Sequence, residues 1–196
     1  MIAKVACEMF LEYGFDNTSI DELVQRTKIS KRTFYNRFKN KADLFSTVCI
    51  QLANERYPLD IGHYQENCDL HSILQEMLLK ILDATLKPDA VEFDRMMIAV
   101  AIRFPEVTIA VDAVRRRAVQ GLREFLAETN REEVLHIEDA EEAAWHLING
   151  AILPPFRRAA LGLRDVEITA DDKRAISRFV KFFIRGYEPR PDREER

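Results

Sequence analysis

Apolar residues recur every three or four positions along most of this 196-residue chain. That spacing places them on one face of an α-helix and predicts an amphipathic helix wherever it persists. It persists from Ile2 to Tyr13, where Gly14 is expected to end the first helix in a left-handed conformation. Similar runs predict about nine helices in all, and six Gly and seven Pro leave little material for an all-β fold. The later helices are predicted at about 18–26, 31–38, 40–56, 70–86, 89–103, 105–128, 139–161 and 169–187.

The second and third predicted helices meet at a tight turn. Ser30 follows the turn and is a good N-cap, because its hydroxyl can accept a hydrogen bond from an orphan backbone N–H. On the helix that it opens, Phe34 and Phe38 are the only large apolar residues that point one way, at positions i and i+4. The helix can therefore rest on a core through two rings and present its polar side chains outward. This is the layout of a recognition helix that enters a DNA groove.

The charge distribution agrees with this interpretation. Six basic residues and no acid lie between Lys28 and Lys41, whereas the whole chain has a formal net charge of −4. An acidic protein with one basic stretch is typical of a localised contact with a polyanion. A basic run alone is more often a solvated helix face. Here the cap, the turn and the two anchoring rings favour DNA binding.

Residues 2–48 resemble the DNA-binding domain of the tetracycline-repressor (TetR/AcrR) family of bacterial regulators. The resemblance is carried by Ala6, Phe10, Gly14, Phe15, Thr18-Ser19-Ile20, Ile29-Ser30, Thr33-Phe34-Tyr35, Phe38, Lys41 and Leu44. Weaker echoes occur at Arg103-Phe104-Pro105-Glu106 and at Phe183-Ile184-Arg185-Gly186-Tyr187. Lys28, Arg32 and Arg37 depart from the family pattern, which usually has Gly, a small residue and His at these positions. A left-handed Lys28 would cost roughly 1 kcal/mol, and the two Arg residues leave the operator sequence open.

The resemblance implies an all-α, homodimeric transcriptional regulator, a repressor, that binds a palindromic operator. Its helix-turn-helix domain would span residues 1–48, with the motif itself at about 19–38. A helical domain for effector binding and dimerisation would span 49–187, and the charged tail at 188–196 is predicted to be disordered. A small, largely apolar effector would release DNA by tilting the helix at 40–56. The alternatives are an activator of the same family, and a helical ligand-binding or scaffolding protein that does not bind DNA.

The polar residues of the motif divide by the part of the DNA that they could reach. Side chains suited to base edges are Lys31, Arg32, Thr33, Asn36 and Arg37, since Arg pairs with guanine and Asn with adenine. Phosphate contacts that set the register are expected from Thr18, Ser19, Ser30, Tyr35, Lys39 and Lys41. The family resemblance supports this assignment for Tyr35 and Lys41.

Two further sites are expected in the C-terminal domain. The predicted lining of an apolar effector pocket is Phe93, Met96, Met97, Phe125, Trp145 and Asn149. The predicted dimer interface, where the last two helices of each subunit form a four-helix contact, is Ala143, Ala144, Leu147, Ala151, Phe179, Val180 and Phe183. Residues on such apolar stripes can equally belong to the core of one subunit.

Other chemistry finds little support in the sequence. There is no Gly-rich phosphate loop and no recognisable catalytic motif, so we expect neither enzymatic activity nor a cofactor. Three widely spaced cysteines favour a reducing cytoplasm over a disulfide framework, and the N-terminus does not resemble a signal peptide. Cys68 and His71 are too few ligands for a metal site, and no metal is predicted. The run Arg115-Arg116-Arg117 is expected to be a solvated helix face, with a second phosphate-binding patch as the alternative.

Overall fold

The computed structural model describes residues 2–56 and 69–189 and shows an all-α fold, with no strand in these two ranges. The predicted fold class is therefore confirmed. The α-helices are α1 (Ile2–Asn17), α2 (Ile20–Thr27), α3 (Lys31–Tyr35), α4 (Lys41–Arg56), α5 (Leu70–Thr85), α6 (Pro88–Val100), α7 (Pro105–Ala118), α8 (Gln120–Arg131), α9 (Ala140–Leu147), α10 (Leu153–Ala160) and α11 (Ala170–Tyr187). A π-helical segment, Ile148–Ile152, joins α9 to α10. The predicted disorder of the tail falls largely on residues 190–196, outside the described residues.

Two predicted helices are divided in the structure. The helix expected at 105–128 is interrupted at Val119, which separates α7 from α8. The helix expected at 139–161 widens before Pro154 and Pro155, where Leu153 N–H donates to the Ile148 carbonyl, five residues back. Since neither proline has an N–H to donate, the wider turn lets the helix continue past both rings. A π-helical segment, Ile148–Ile152, thus precedes the two prolines in place of a break in the helix.

Capping side chains begin several of the helices. Asn40 caps α4, accepting from Asp43 N–H at 2.9 Å, and Asp139 caps α9. Thr169 caps α11 in a reciprocal pair with Asp172. The Asp172 carboxylate also receives both terminal nitrogens of Arg164 at 2.7 Å. These hydrogen bonds lower the pKa of Asp172 to about 2, and the bond from Arg164 has the largest effect.

The helices form two compact units. Unit 1 contains residues 2–56 together with Glu92–Arg117, and unit 2 contains residues 69–91 and 118–189. Each unit has its own cluster of buried apolar side chains. Helices α6 and α7 thus share a core with α1 to α4, although the division into domains at 1–48 and 49–187 remains a prediction.

The arginine run of α7 is tied into unit 1. Arg115 forms an ion pair with the buried Asp94 of α6, and Arg116 pairs with Asp112 one turn earlier on its own helix. The expectation of a solvated face is therefore wrong for Arg115. Its guanidinium instead links the two helices, because a buried carboxylate needs a charged partner.

The backbone at Gly14 bends the end of α1. Its φ of 74° and ψ of 175° lie in a region that is essentially restricted to glycine. The positive φ was predicted, but the ψ is not that of a left-handed helical cap. Residues 15–17 therefore leave the helix axis of Ile2–Tyr13, and Phe15 enters the core of unit 1.

We predict that Gly14→Ala lowers the free energy of unfolding by about 1–3 kcal/mol, measured by urea denaturation. Gly186→Ala is the matched control, because a Cβ meets nothing within 4 Å at either position. Gly186 lies in α11 without a positive φ, so its replacement should be neutral or stabilise by up to about 1 kcal/mol. Equal effects of the two substitutions would contradict the assignment of strain to Gly14.

Candidate nucleic-acid interface

The turn between α2 and α3 depends on a left-handed lysine. Lys28 has φ 54° and ψ 33°, as expected for this departure from the usual glycine. Its N–H donates to the Gln25 carbonyl at 3.2 Å, and Ile29 N–H donates to the Val24 carbonyl at 3.1 Å. These two bonds form a Schellman motif, which ends α2 and turns the chain sharply into α3. The turn therefore forms without glycine, at a backbone cost of about 1–2 kcal/mol.

Helix α3 is attached to unit 1 through one ring and exposes the rest of its side chains. Ser30 caps it by accepting a hydrogen bond from Thr33 N–H at 3.0 Å. Phe34 is completely buried, and its ring centroid lies 5.6 Å from that of the half-buried Phe38. The regular helix ends at Tyr35, three residues earlier than predicted, and the chain continues as a turn. The exposed side chains of α3 and this turn are Lys31, Arg32, Thr33, Tyr35, Asn36 and Arg37.

Lys31 already has a partner at the start of α3. Its ammonium lies 2.7 Å from the Asp21 carboxylate of α2, and this hydrogen bond and charge raise the pKa of Lys31. Both side chains are exposed, so the pair is weak in water. Lys31 therefore stays protonated and close to the proposed DNA surface, but a contact with a base requires it to leave Asp21.

Lys41 holds the corner between α1 and α2. Its ammonium donates to the carbonyls of Asp16 (3.1 Å) and Thr18 (3.0 Å) and lies 4.5 Å from the centre of the Phe15 ring. Two of its three N–H groups are thus used within the protein. Lys41 is therefore a structural cation of this corner as well as a candidate for phosphate, in contrast to the exposed Lys39.

The predictions for Thr18 need correction. The sequence predicts that α2 begins at Thr18, but its N-cap is Ser19, whose hydroxyl accepts a hydrogen bond from Asp21 N–H at 3.2 Å. Thr18 is only 3% exposed, and its hydroxyl donates to the carbonyls of Gly14 (2.7 Å) and Met9 (3.2 Å). A hydroxyl occupied in this way does not face phosphate, whereas that of the exposed Ser19 and that of Ser30 lie at the surface. Sequence alone could not separate Thr18 from Ser19, because both are good caps.

The predicted effector residues are divided between the two units. Phe93, Met96 and Met97 are buried in the core of unit 1, and Met96 also lines a cleft of about 520 Å³ between α1 and α6. Phe125 and Trp145 are half-buried in unit 2, where Asn149 is exposed. The six residues therefore do not form one site within either unit.

The predicted dimer residues belong mostly to the core of a single subunit. Six of them are buried in unit 2 before any partner is added: Ala143, Ala144, Leu147, Ala151, Val180 and Phe183. Phe179 is half-buried, and its ring covers Gly150 so closely that a Cβ there would lie 2.0 Å from it. The assignment of the six to a subunit interface is therefore wrong. Their stripe faces inward because it packs unit 2 itself.

Exposed apolar side chains occur on the outer faces of the same helices. Phe182 of α11 is 71% exposed, and Leu153 and Leu161, in and just after α10, are also exposed. Sequence analysis missed them because they fall between the inward positions. Phe182 is adjacent to Phe183, and two consecutive large rings on one amphipathic helix cannot both face the same core.

Two other features are absent from the described ranges, 2–56 and 69–189: a membrane-spanning helix and a cluster of metal ligands. None of their helices is long and apolar enough to cross a membrane. They also contain no group of three or more His, Cys, Asp or Glu side chains that could hold a metal ion. Of the two residues considered as metal ligands in the sequence, Cys68 and His71, Cys68 lies outside these ranges.

The chain matches two protein families along its length. Residues 2–48 match the family described as bacterial regulatory proteins, tetR family. Residues 72–189 match the C-terminal domain of AefR-like transcriptional repressors.

Individual relatives and solved structures agree with these matches. The chain is 32% identical to the uncharacterised regulator YdeS of Bacillus subtilis over 72 residues, which make up 36% of this chain and 36% of YdeS. It is 30% identical over 87 residues to the regulator AcrR of Shigella flexneri, which is 43% of this chain and 40% of AcrR. The chain thus spans well under half the length of both curated relatives.

Among solved structures, the flavonoid-responsive regulator FrrA is similar with a TM-score of 0.81 and 25% identity, over 97% of this chain and 96% of FrrA. A tetR-family regulator of Mesorhizobium loti has a TM-score of 0.79 at 21% identity, over 96% and 95% of the two chains.

Proposed function

The chain belongs to the tetR family of bacterial regulatory proteins, and we propose that it represses transcription by binding a palindromic operator as a homodimer. The family makes it a DNA-binding transcriptional regulator. The observation that carries the finer proposal is the exposed polar surface of α3, which is attached to unit 1 through the buried Phe34. Its action on DNA implies a cytoplasmic protein.

The size of α3 supports two-fold binding. Five helical residues and the turn after them can reach only a few base edges in one major groove. One half-site would therefore discriminate poorly against the many random sites of a genome. A two-fold dimer doubles the contacts, and its symmetry requires a palindromic operator with half-sites about one helical turn apart.

The proposed DNA surface has a base-reading part and a phosphate-binding part. Arg32 and Arg37 are exposed and suited to bidentate contact with guanine, beside Lys31, Thr33 and Asn36. Ser19, Ser30, Tyr35 and Lys39 are exposed and would bind phosphate. Lys41 could add the one N–H that its contacts with Asp16 and Thr18 leave available.

We predict that Arg32→Ala and Arg37→Ala reduce the preference for operator over random duplex by about 1–3 kcal/mol for each side chain that pairs with a base. The operator can be selected from a random DNA library with the wild-type protein, and affinities measured by fluorescence anisotropy. Lys39→Ala is the control, since loss of a phosphate contact should weaken both DNAs equally and reduce the salt slope by about one. Equal losses on both DNAs for the two Arg variants would contradict the base-reading assignment.

The dimer surface is proposed on the outer faces of α10 and α11, in place of the residues now seen to be internal. Phe182, Leu153 and Leu161 expose large apolar side chains there. Large apolar side chains exposed on the same unit are candidates for a surface that another protein covers. A second copy covering this face would join α10 and α11 of both subunits, which is the arrangement predicted from sequence but with different residues.

We predict that Phe182→Glu converts the dimer to monomer, because a buried and unpaired carboxylate would face the partner. Sedimentation or light scattering measures the mass. Ile109→Glu in α7 is the matched control, because Ile109 is 70% exposed against 71% for Phe182, and it should leave the dimer intact. If Ile109→Glu gives a monomer and Phe182→Glu stays a dimer, the interface lies on α7 instead.

Repression is supported by the C-terminal match, whose family is described as a transcriptional repressor. A promoter–reporter fusion tests it. If the selected operator overlaps the promoter and the protein lowers expression, the proposal holds. An operator upstream of the promoter with raised expression would identify an activator instead.

A small, largely apolar effector is proposed to release the operator. Its support is the similarity along almost the whole chain to FrrA, which is flavonoid-responsive, so flavonoids are the first probes. Of the six side chains predicted from sequence, Phe93, Met96 and Met97 lie in unit 1, where Met96 lines the cleft of about 520 Å³, and this cleft is the proposed effector site. Phe125, Trp145 and Asn149 belong to unit 2 and are not assigned to it. Tilting of α4 near Leu52–Tyr57 remains the proposed route, although Tyr57 lies outside the described residues.

We predict that a flavonoid found by thermal-shift screening binds the operator-loaded dimer more weakly than the free dimer. If the ligand weakens operator binding by about 5- to 150-fold, as a coupling of ~1–3 kcal/mol does, linkage requires the operator to weaken ligand binding by the same factor. Isothermal titration with and without saturating operator measures both. Equal ligand affinity in the two titrations would refute induction and leave DNA binding intact.

A further inference from the structure

The turn between α6 and α7 is built rigidly into unit 1. Arg103 and Phe104 both donate their N–H to the Val100 carbonyl at 2.9 Å. The Phe104 carbonyl then accepts from Val107 and Thr108 as α7 begins. The side chains at 103 and 104 therefore have a defined direction, although the turn between the helices is only four residues long.

Phe104 packs among rings of α1 and α4, the helices on either side of the helix-turn-helix motif. Its centroid lies 4.7 Å from that of Phe15 and 5.3 Å from that of Phe45. Phe45 in turn contacts Phe10 of α1 edge-on, with the centroids 5.0 Å apart. The turn is thus packed against the end of α1 and the first part of α4.

Arg103 contacts the same corner from the solvent side. Its guanidinium pairs with the Asp16 carboxylate and lies 4.8 Å from the centre of the Phe15 ring. Lys41 holds the corner by other atoms, since its ammonium binds the Asp16 carbonyl and lies near the same ring. Asp16 and Phe15 are therefore each contacted by two cations, one from the turn after α6 and one from the first residue of α4.

The corner is continuous with the helices that carry the DNA surface. Thr18 follows it directly and is bonded back to Gly14, and α2 begins two residues later. From α2 the Lys28 turn leads straight into α3. A shift of Asp16 relative to Lys41 would therefore move α2 and α3 relative to the start of α4.

We propose that Arg103 is a positioning residue for DNA binding, which acts through Asp16 and Phe15 on the corner that holds Lys41. This inference rests on the DNA surface proposed above. The Arg103 and Asp16 side chains are largely exposed, so their pair contributes little to stability. Its loss should leave the protein folded but change how α2 and α3 meet the phosphate backbone.

Substitution of Asp16 distinguishes a positioning role of Arg103 from a purely electrostatic attraction between Arg103 and DNA. Asp16→Asn removes a negative charge near the DNA surface, so electrostatics alone would tighten binding. Positioning requires the opposite result, because Arg103 loses the carboxylate that holds it. Arg116→Ala is the matched control for Arg103→Ala, since both arginines are 58% exposed, both lie in unit 1 and both pair with an aspartate.

The experiment uses the full chain, a labelled random duplex of about 30 base pairs and fluorescence anisotropy at several salt concentrations. We expect Arg103→Ala and Asp16→Asn each to weaken binding by about three- to ten-fold, the scale of one exposed ion pair and one cation–π contact. The double variant should bind no more weakly than Arg103→Ala alone, and Arg116→Ala should change affinity less than two-fold. Thermal midpoints should stay close to that of the wild type.

Other outcomes overturn the inference. If Asp16→Asn binds DNA more tightly, or if Arg103→Ala and Arg116→Ala weaken binding equally, then Arg103 affects DNA binding only through its positive charge and not by positioning. If Arg103→Ala unfolds, the exposed Asp16→Asn variant still decides the question. A wild-type protein that does not bind the duplex would refute the DNA surface itself, whereas binding that no variant alters would refute only the role of Arg103.

Discussion

Burial of the Phe34 ring is the interaction on which the proposed DNA surface depends. Helix α3 has five residues, too few to be stable alone in water, and Phe34 is its one fully buried side chain. Removal of such a ring typically costs about 3–5 kcal/mol, more than any other contact of α3 could supply. Because a single ring holds the helix, nearly all of its remaining side chains are available for DNA.

Backbone constraints at two turns direct this small helix. Gly14 bends the end of α1, and Lys28 ends α2 in a left-handed conformation. Within residues 2–56 and 69–189, three Schellman motifs close helices, and only the one at Gly162 uses glycine, whereas Lys28 and Glu133 adopt the left-handed conformation as non-glycine residues. At Lys28 the strained residue is also an exposed cation next to the proposed DNA surface, where strain is often retained for function.

The cations of the DNA-binding motif are not equivalent. Lys31 is paired with Asp21 and Lys41 with backbone carbonyls, whereas Arg32, Arg37 and Lys39 are exposed. A cation that already has a partner gains less from phosphate, since it must give up one contact for another. We therefore expect DNA affinity to come chiefly from Arg32, Arg37 and Lys39, while Lys41 holds the corner between α1 and α2 through its backbone contacts.

The sequence by itself determined the helical class, most helix starts, the Phe34 anchor and the left-handed Lys28. These features depend on neighbouring residues, because helical periodicity, caps and turns are local interactions. Tertiary structure decided which apolar stripe faces inward. Ala143, Leu147 and Val180 pack unit 2 itself, whereas Phe182 stays exposed, because the spacing of an apolar stripe does not say which surface will cover it. It also decided that Thr18 is internal and that Arg103, 87 residues from Asp16, joins the corner of the DNA-binding motif. A contact between residues so distant in the chain arises only when the helices pack, and no local pattern records it.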